Sequence, residues 1–250
     1  MQSPNRAIIL AAGQGKRLLP LTEARPKCLI ELSGKSLLAW QLQRLQAAGV
    51  EETVIVTGFR ADAVEAEVAR LALDMPVRLA FNPFYTVSDN TASCWIVRGE
   101  FDRDVLVLNG DTLFGAGVAE RLLGAPEADI TVTIDRKPSY DADDMKVLTE
   151  AGRLRAIGKT IEAYDAESIG FLRFSPAGAA LFTQYVEAAV RQPEGLKRWY
   201  LSVIDQIARE TGRVQVHAIN GASWAEMDFP ADLPRNLALT ERWAARAMAG

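Results

Sequence analysis

Apolar positions along this chain fall into short runs separated by stretches with helical spacing. Residues 7–10 (AIIL), 53–57 (TVIVT) and 105–108 (VLVL) are runs short and branched enough to be buried strands, and 77–81 (VRLAF) reads as a further short strand. Residues 36–48 place Leu37, Leu38, Leu42 and Leu45 on one helical face and stop at Gly49, a good helix terminator. Residues 61–73 read as a second helix. This β-α-β-α-β alternation predicts a parallel sheet with helices on both faces.

A polar loop, 82–93 (NPFYTVSDNTAS), leads into a helix at 92–98. Beyond residue 129 strands follow more closely: 130–134, then 145–147 and 154–157 joined through Gly152, then 169–174. Helices are expected at 176–191 and 198–210, a strand at 214–219, and a last helix at 233–247 whose aliphatic spacing reads as packing. The second half reads as a continuous part of one domain spanning 1–250.

A chain of 250 residues can bury a full core. The formal net charge of −4 argues against general nucleic-acid binding, which needs a basic face. Cys28 and Cys94 lie far apart without metal spacing, and no signal segment or long apolar run precedes the fold. That pattern reads as a reduced, cytoplasmic protein with no membrane insertion. It carries no signal for an oligomeric state. His217, the one histidine, reads as a strand residue rather than a catalyst.

The chemistry concentrates just after the first strand. Ala11-Ala12-Gly13-Gln14-Gly15 lets the backbone turn and approach a ligand, and Lys16, Arg17, Arg25 and Lys27 follow within a dozen residues. Small residues, exposed amides and fixed cations after a strand make a phosphate cradle. A Walker loop would need Ser or Thr after Gly15-Lys16, where Arg17 stands. A dinucleotide fingerprint would need a third glycine at position 18, which is Leu18. At the end of the 105–108 run, Asn109-Gly110-Asp111 is good turn chemistry, and it also puts an acid where open α/β sheets bind ligands.

What remains of the loop, G-x-G-x-R-L-x-P-L-T followed by Pro26-Lys27, resembles the signature of nucleotidyltransferases that join an NTP to a phosphorylated small molecule and release pyrophosphate. The resemblance implies a Rossmann-like, mixed, mostly parallel α/β sheet with helices on both faces, of the nucleotide-diphospho-sugar transferase type. It implies a nucleotide-binding half, 1–125, and an acceptor-binding half, 126–250. Leu10, Ala11, Ala12, Gly13 and Gly15 would cradle the nucleotide, Arg17 would hold the β/γ-phosphates, and Lys27 the reacting phosphates. Asp111 in NGDTLF and Asp228 in WAEMD match the family's two acidic motifs and would hold Mg²⁺, with Glu226 as a neighbour.

The segments FNPFYTVSDNTASCWIV, DMKV and WYLSVID resemble the choline-phosphate cytidylyltransferase branch. That likeness implies CTP as nucleotide, phosphocholine as acceptor, and Asn90 and Ser93 as base contacts. Either residue also suits a helix cap. Lys159, Met145, Trp199, Tyr200 and Glu226 are the expected acceptor residues. Asp141, Asp143 and Asp144 read as a solvated loop or as charge facing an ammonium group. Related enzymes for 2-aminoethylphosphonate, inositol phosphate or a sugar 1-phosphate are the alternatives. A catalytically silent nucleotide sensor would be expected to lose one of Arg17, Lys27, Asp111 or Asp228, and all four are present.

Overall fold

Ala7 and Ile9 of the first strand enter one apolar cluster while Ile8 and Leu10 enter another, so both faces of the sheet are covered. The structure, a computed structural model, describes residues 6–249; the two ends of the expected 1–250 span lie outside them. In order, the first half contains β1 (Arg6–Leu10), β2 (Glu31–Leu32), β3 (Lys35–Ser36), α1 (Leu37–Ala47), β4 (Glu52–Thr57) and α2 (Ala61–Arg70). It continues with β5 (Val77–Phe81), α3 (Asn90–Ile96), β6 (Val105–Asn109), β7 (Thr112–Phe114) and α4 (Val118–Leu123). The second half contains β8 (Ile130–Asp135), β9 (Lys146–Glu150), β10 (Arg153–Gly158), β11 (Ala166–Phe174), α5 (Pro176–Val190), α6 (Tyr200–Thr211), β12 (Val214–Ala218), β13 (Trp224–Glu226) and α7 (Asp232–Ala249).

Nine strands form one mixed sheet in the order β5-β4-β1-β6-β11-β8-β12-β10-β9. Its parallel ladders join β5, β4, β1 and β6, and β8 with β12. β11 runs antiparallel to both β6 and β8, and β9, β10 and β12 add further antiparallel ladders. The parallel character therefore belongs chiefly to the first half. The short connections between β9, β10 and β11 leave no room for crossover helices, and antiparallel pairing is their natural outcome.

Leu106 and Leu108 of β6 share one face with Leu38, Leu42 and Leu45 of α1, Val64 of α2 and Leu122 of α4. Val105 and Val107 share the other with Cys94 of α3, Phe182 of α5 and Ile204 of α6. Each face buries a helical layer, as the alternation predicts. Local chemistry sets the helix starts. Ser36 caps α1 by accepting from Ala39 N–H at 3.0 Å, and Ser175 caps α5 by accepting from Gly178 N–H at 3.1 Å with Pro176 in the first turn.

Several boundaries differ from the sequence expectation: β9 runs on to Glu150, and β11 starts already at Ala166. α2 stops at Arg70 rather than residue 73, because the Leu71–Asp74 stretch turns to feed β5. α3 starts at Asn90, capped by the Asp89 carboxylate at 2.9 Å, so Asn90 lies inside the helix and not in the loop before it.

Two elements that the apolar pattern did not show turn out to build the site. β7 and β13 pair antiparallel, with Thr112 opposite Glu226 and Phe114 opposite Trp224. This small ladder packs into a third cluster, where Leu113, Ala225 and Met227 meet Leu18, Trp40, Leu239 and Trp243. It ties the segment before α7 to the end of β6.

Candidate active site

The carboxyl ends of β1 and β6 stand side by side, paired in parallel from Arg6–Val105 to Leu10–Asn109. Just beyond them Gly110 N–H bonds the Leu10 carbonyl at 2.9 Å. A Cβ on Gly110 would stand 2.8 Å from that carbonyl oxygen, so only glycine permits the approach. The two strand ends thus open together into a cleft of about 210 Å³. This is where the ligand crevice of an open α/β sheet is expected.

The loop after β1 is anchored at both ends. Ala11 N–H bonds Val56 O and the Ala12 carbonyl accepts from Phe59 N–H, each at 2.9 Å, which fixes its entry against β4. Farther on, buried Thr22 donates to the Gly15 carbonyl at 2.8 Å, and Leu18 is wholly buried. Gly15 has φ +76°, and a Cβ there would meet the Lys27 side chain at 2.9 Å. Gly13 is under no such constraint, since nothing lies within 4 Å of where its Cβ would stand. Its smallness leaves space in the cleft.

Lys27 reaches the cleft from the following segment, and its ammonium carries two carboxylates. Nζ lies 2.6 Å from Asp111 Oδ2 and 2.5 Å from Asp228 Oδ1. The β7–β13 ladder makes this possible: Met227 N–H bonds the Asp111 carbonyl at 3.2 Å, one residue before Asp228. Arg17 Nη2 contacts the other Asp228 oxygen at 3.1 Å, and its Nη1 contacts Asp143 Oδ1 at 3.2 Å. The Arg17 guanidinium lies over the Phe229 ring, 4.9 Å from its centroid.

These contacts bias the charges. Burial alone would lower the Lys27 pKa, but Asp111 and Asp228 outweigh it and hold the ammonium protonated well above the ordinary lysine range. Burial opposes ionisation of Asp228 as well, and Lys27 with Arg17 reverses the effect, so its pKa lies below the usual value. Glu226 feels Lys27 too, but too weakly to reverse the effect. Burial, then repulsion from Asp111 and Asp228, pushes its carboxyl well above the ordinary range.

One oxygen of this cluster, Asp111 Oδ1, is buried without a hydrogen-bond partner among the described residues. A buried carboxylate oxygen left bare is costly, and a hard cation at the cleft would satisfy it. No group of three or more His, Cys, Asp or Glu able to hold a metal ion occurs among the described residues. The chemistry of Asp111 and Asp228 fits a divalent cation, for which a bound phosphate and water would have to supply the remaining ligands.

Leu10, Ala11, Ala12, Gly13, Gly15, Asn90, Ser93 and Asp111, the residues expected around the nucleotide, all line this one cleft, and so does Lys27. Asn90 and Ser93 also serve the fold: Asn90 Oδ1 accepts from Tyr200 N–H at 2.8 Å, and buried Ser93 accepts from Asn82 Nδ2 at 3.1 Å. Asn82, Tyr85, Ser88, Asp89 and Asn109 line the cleft too and were not singled out from the sequence. Four of these five lie in or just before the polar stretch preceding α3, whose composition was the only available signal.

The residues expected around the acceptor are spread more widely. Glu226 lines a neighbouring cavity of about 400 Å³ together with Asp143, Asp228, Phe229, Glu167 and Lys137. Lys159 and Trp199 line neither cavity but adjoin the second through Asp143, with Lys159 Nζ 5.1 Å from the Trp199 ring centroid and 3.2 Å from Asp143 Oδ1. Met145 is partly buried and packs against the main core cluster. Tyr200 departs from the expectation. It is fully buried against Phe182, with ring centroids 6.4 Å apart, so its ring is part of the core and only Trp199 offers an aromatic face. The helical period of α6 decides this: Tyr200, Val203, Ile204 and Ile207 make one buried stripe.

Comparison with known proteins agrees with this geometry. Residues 6–146 match the family model described as "Nucleotidyl transferase". A CMP-5'-(3-aminopropyl)phosphonate synthase from Streptomyces rubellomurinus is 32% identical over 92% of this chain, though the chain spans only 38% of that protein. A CTP:phosphoglutamine cytidylyltransferase from Campylobacter jejuni is 24% identical, with 91% of this chain and 97% of that one covered. The fold matches the solved structure of a CTP:phosphocholine cytidylyltransferase from Streptococcus pneumoniae with a TM-score of 0.79, at 22% identity, covering 94% of this chain and 98% of that one. With a family match that takes in more than half its length, the chain belongs to the nucleotidyl transferase family.

Proposed function

We propose that this enzyme condenses CTP with a small phosphorylated acceptor, phosphocholine in the first instance, giving a CDP-linked product and pyrophosphate. The observation that carries the reading is the Lys27 ammonium held between Asp111 and Asp228 at the mouth of the Gly13–Gly15 loop. Lys27 and Arg17 supply fixed positive charge beside a loop lined with backbone amides. Two carboxylates stand where a hard cation shared with a triphosphate would be bound.

A phosphate monoester has its second pKa near 6, so the acceptor is already an oxyanion at neutral pH and needs no general base. The protein's part is positioning and charge neutralisation. In this reading Arg17 holds the β/γ-phosphates and orients the leaving group. Lys27 moves from its carboxylates to the reacting phosphates as they enter. Asn90 and Ser93 face the base, and Trp199 and Lys159 approach the acceptor. The first 125 residues serve the nucleotide and the remainder serves the acceptor. A bound Mg²⁺ would be held by Asp111 and Asp228 and would supply charge neutralisation at the phosphate oxygens.

The proteins reported above act on an aminopropylphosphonate, on phosphoglutamine and on phosphocholine by their names. An ammonium or amide beside a phosphoryl group is common to these acceptors. The acidic lining of the second cavity favours a cationic one. A quaternary ammonium would gain from the Trp199 face, and a primary ammonium would gain more from the carboxylates. The test is pyrophosphate release with each of four NTPs against phosphocholine, 2-aminoethylphosphonate, inositol phosphate and a sugar 1-phosphate, with Mg²⁺. CTP with phosphocholine should give the highest kcat/KM. A better rate with UTP, GTP or dTTP would overturn the nucleotide assignment, and preference for another acceptor would replace phosphocholine.

A further inference from the structure

Arg17 and Lys159 come from distant parts of the chain and meet on one oxygen. Arg17 Nη1 and Lys159 Nζ each lie 3.2 Å from Asp143 Oδ1. Both cations rest on aromatic faces, Arg17 on Phe229 and Lys159 on Trp199, with 4.9 and 5.1 Å to the centroids. Two positioned cations converging on a single anionic oxygen at the mouth of a cavity make a site for a phosphate oxygen. Here a side chain of the protein fills it.

The position of this pair favours the acceptor's phosphate over those of the nucleotide. Neither Lys159 nor Asp143 lines the nucleotide cleft, whereas Asp143 and Asp228 both line the second cavity. Arg17 holds Asp228 with one nitrogen and Asp143 with the other, both of them lining residues of the second cavity. We propose that the Asp143 carboxylate is an internal stand-in for the acceptor's phosphate oxygen, and that it sets acceptor affinity by competing for Arg17 and Lys159. The proposal rests on the reading of this site as one where a phosphorylated acceptor is used.

The construction of the Asp143 loop suits such an exchange. The neighbouring residues are tied down: Asp141 Oδ1 accepts from the N–H groups of Asp143 and Asp144 at 2.9 and 3.1 Å, and Asp144 pairs with Lys137 at 2.8 Å. The Asp143 side chain is 48% exposed, so it can rotate away without moving the loop. An exposed ion pair is weak and an incoming dianion outcompetes it, at the cost of an affinity lowered by the closed fraction.

The test measures binding of inorganic phosphate by calorimetry to wild type, Asp143→Asn, Lys159→Ala and the double variant, alongside steady-state kinetics. Asp143→Asn should bind phosphate roughly two- to ten-fold more tightly and lower the acceptor KM by a similar factor. The gain should vanish when Lys159 is already alanine, because the coupling runs through that cation. Unchanged or weaker phosphate binding, or a raised acceptor KM, in Asp143→Asn would overturn the proposal, the last by making Asp143 a direct contact of the acceptor. An equal gain in the Lys159→Ala background would reduce it to a general charge effect and reject it. Phosphate binding reads the competition even if no acceptor and CTP release pyrophosphate, so failure of the proposed reaction is separable from failure of this inference.

Discussion

Asp111 and Asp228 each place one carboxylate oxygen on Lys27 Nζ, at 2.6 and 2.5 Å, although they lie in distant parts of the chain. The ladder of β7 and β13 brings them together. Together with Arg17 on Asp228 the three form a charge-balanced cluster that a triphosphate with its cation would take apart: the anion draws the two cations and the metal ion draws the carboxylates. Asp111→Asn and Asp228→Asn should each lower kcat by about 10²–10³, as loss of a charge aimed at the transition state does. Pyrophosphate release at saturating Mg²⁺ is the readout, and undiminished turnover in either variant would remove that residue from the metal site.

Arg17 should separate function from stability. Its side chain is 47% exposed and its partner Asp143 is exposed to the same degree, so Arg17→Ala should cost no more than about 1 kcal/mol of stability, a small shift in the thermal midpoint, while costing activity severely. A sharp fall in the midpoint with nucleotide binding retained would make Arg17 a structural residue.

The two neighbouring aromatics should behave oppositely. Tyr200→Ala empties a fully buried site and should destabilise the protein by about 3–5 kcal/mol, by analogy with large core truncations. Trp199→Ala removes a ring that is 41% exposed and should leave the midpoint nearly unchanged while raising the acceptor KM. Chemical denaturation of both variants beside acceptor kinetics checks this, and equal destabilisation by both would contradict the contrast between an exposed Trp199 and a core Tyr200.

Gly13 offers a contrast with Gly15. A methyl group at Gly13 meets nothing in the protein, so Gly13→Ala should fold as wild type yet weaken CTP binding by filling the cleft. At Gly15 the positive φ and the Lys27 contact make alanine cost stability as well. Nucleotide titration and thermal melts of the pair distinguish these outcomes, and unaltered CTP affinity in Gly13→Ala would place the nucleotide elsewhere.

Glu167 should give a pH signature. Burial raises its pKa from 4.5 to about 7, only partly offset by Lys137 at 2.8 Å, and Asp144 raises it further. A carboxyl with a raised folded-state pKa binds more protons in the native state than in the unfolded one, so stability falls as pH rises between those two values. From pH 4.5 to about 7 the wild type should lose up to about 3 kcal/mol relative to Glu167→Gln. Parallel pH dependence of the two proteins would show that folding does not raise the Glu167 pKa.

The phosphate loop was legible because its chemistry is contiguous. Gly13, Gly15, Arg17 and Lys27 sit within one short stretch, and the strand before them is an unbroken run of apolar residues. The pairing of Asp111 with Asp228 was legible only as resemblance. The three-residue strands that cause it are too short for a period, and the same brevity hid α4. Asp143 looked like part of a solvated acidic run, because nothing local marks its contacts with Arg17 and Lys159. Tyr200 was misplaced because two adjacent aromatics at a helix start point to different faces, and tertiary packing decides which is buried.

The reaction itself is tested most directly by phosphorus NMR of the enzyme with CTP, Mg²⁺ and phosphocholine. The acceptor's monoester signal should be replaced by the coupled pair of a phosphoanhydride as pyrophosphate accumulates in equal amount, and Asp111→Asn should leave the spectrum unchanged. Release of inorganic phosphate without a new phosphoanhydride, or no consumption of CTP with any acceptor of the panel, would contradict cytidylyl transfer at this site.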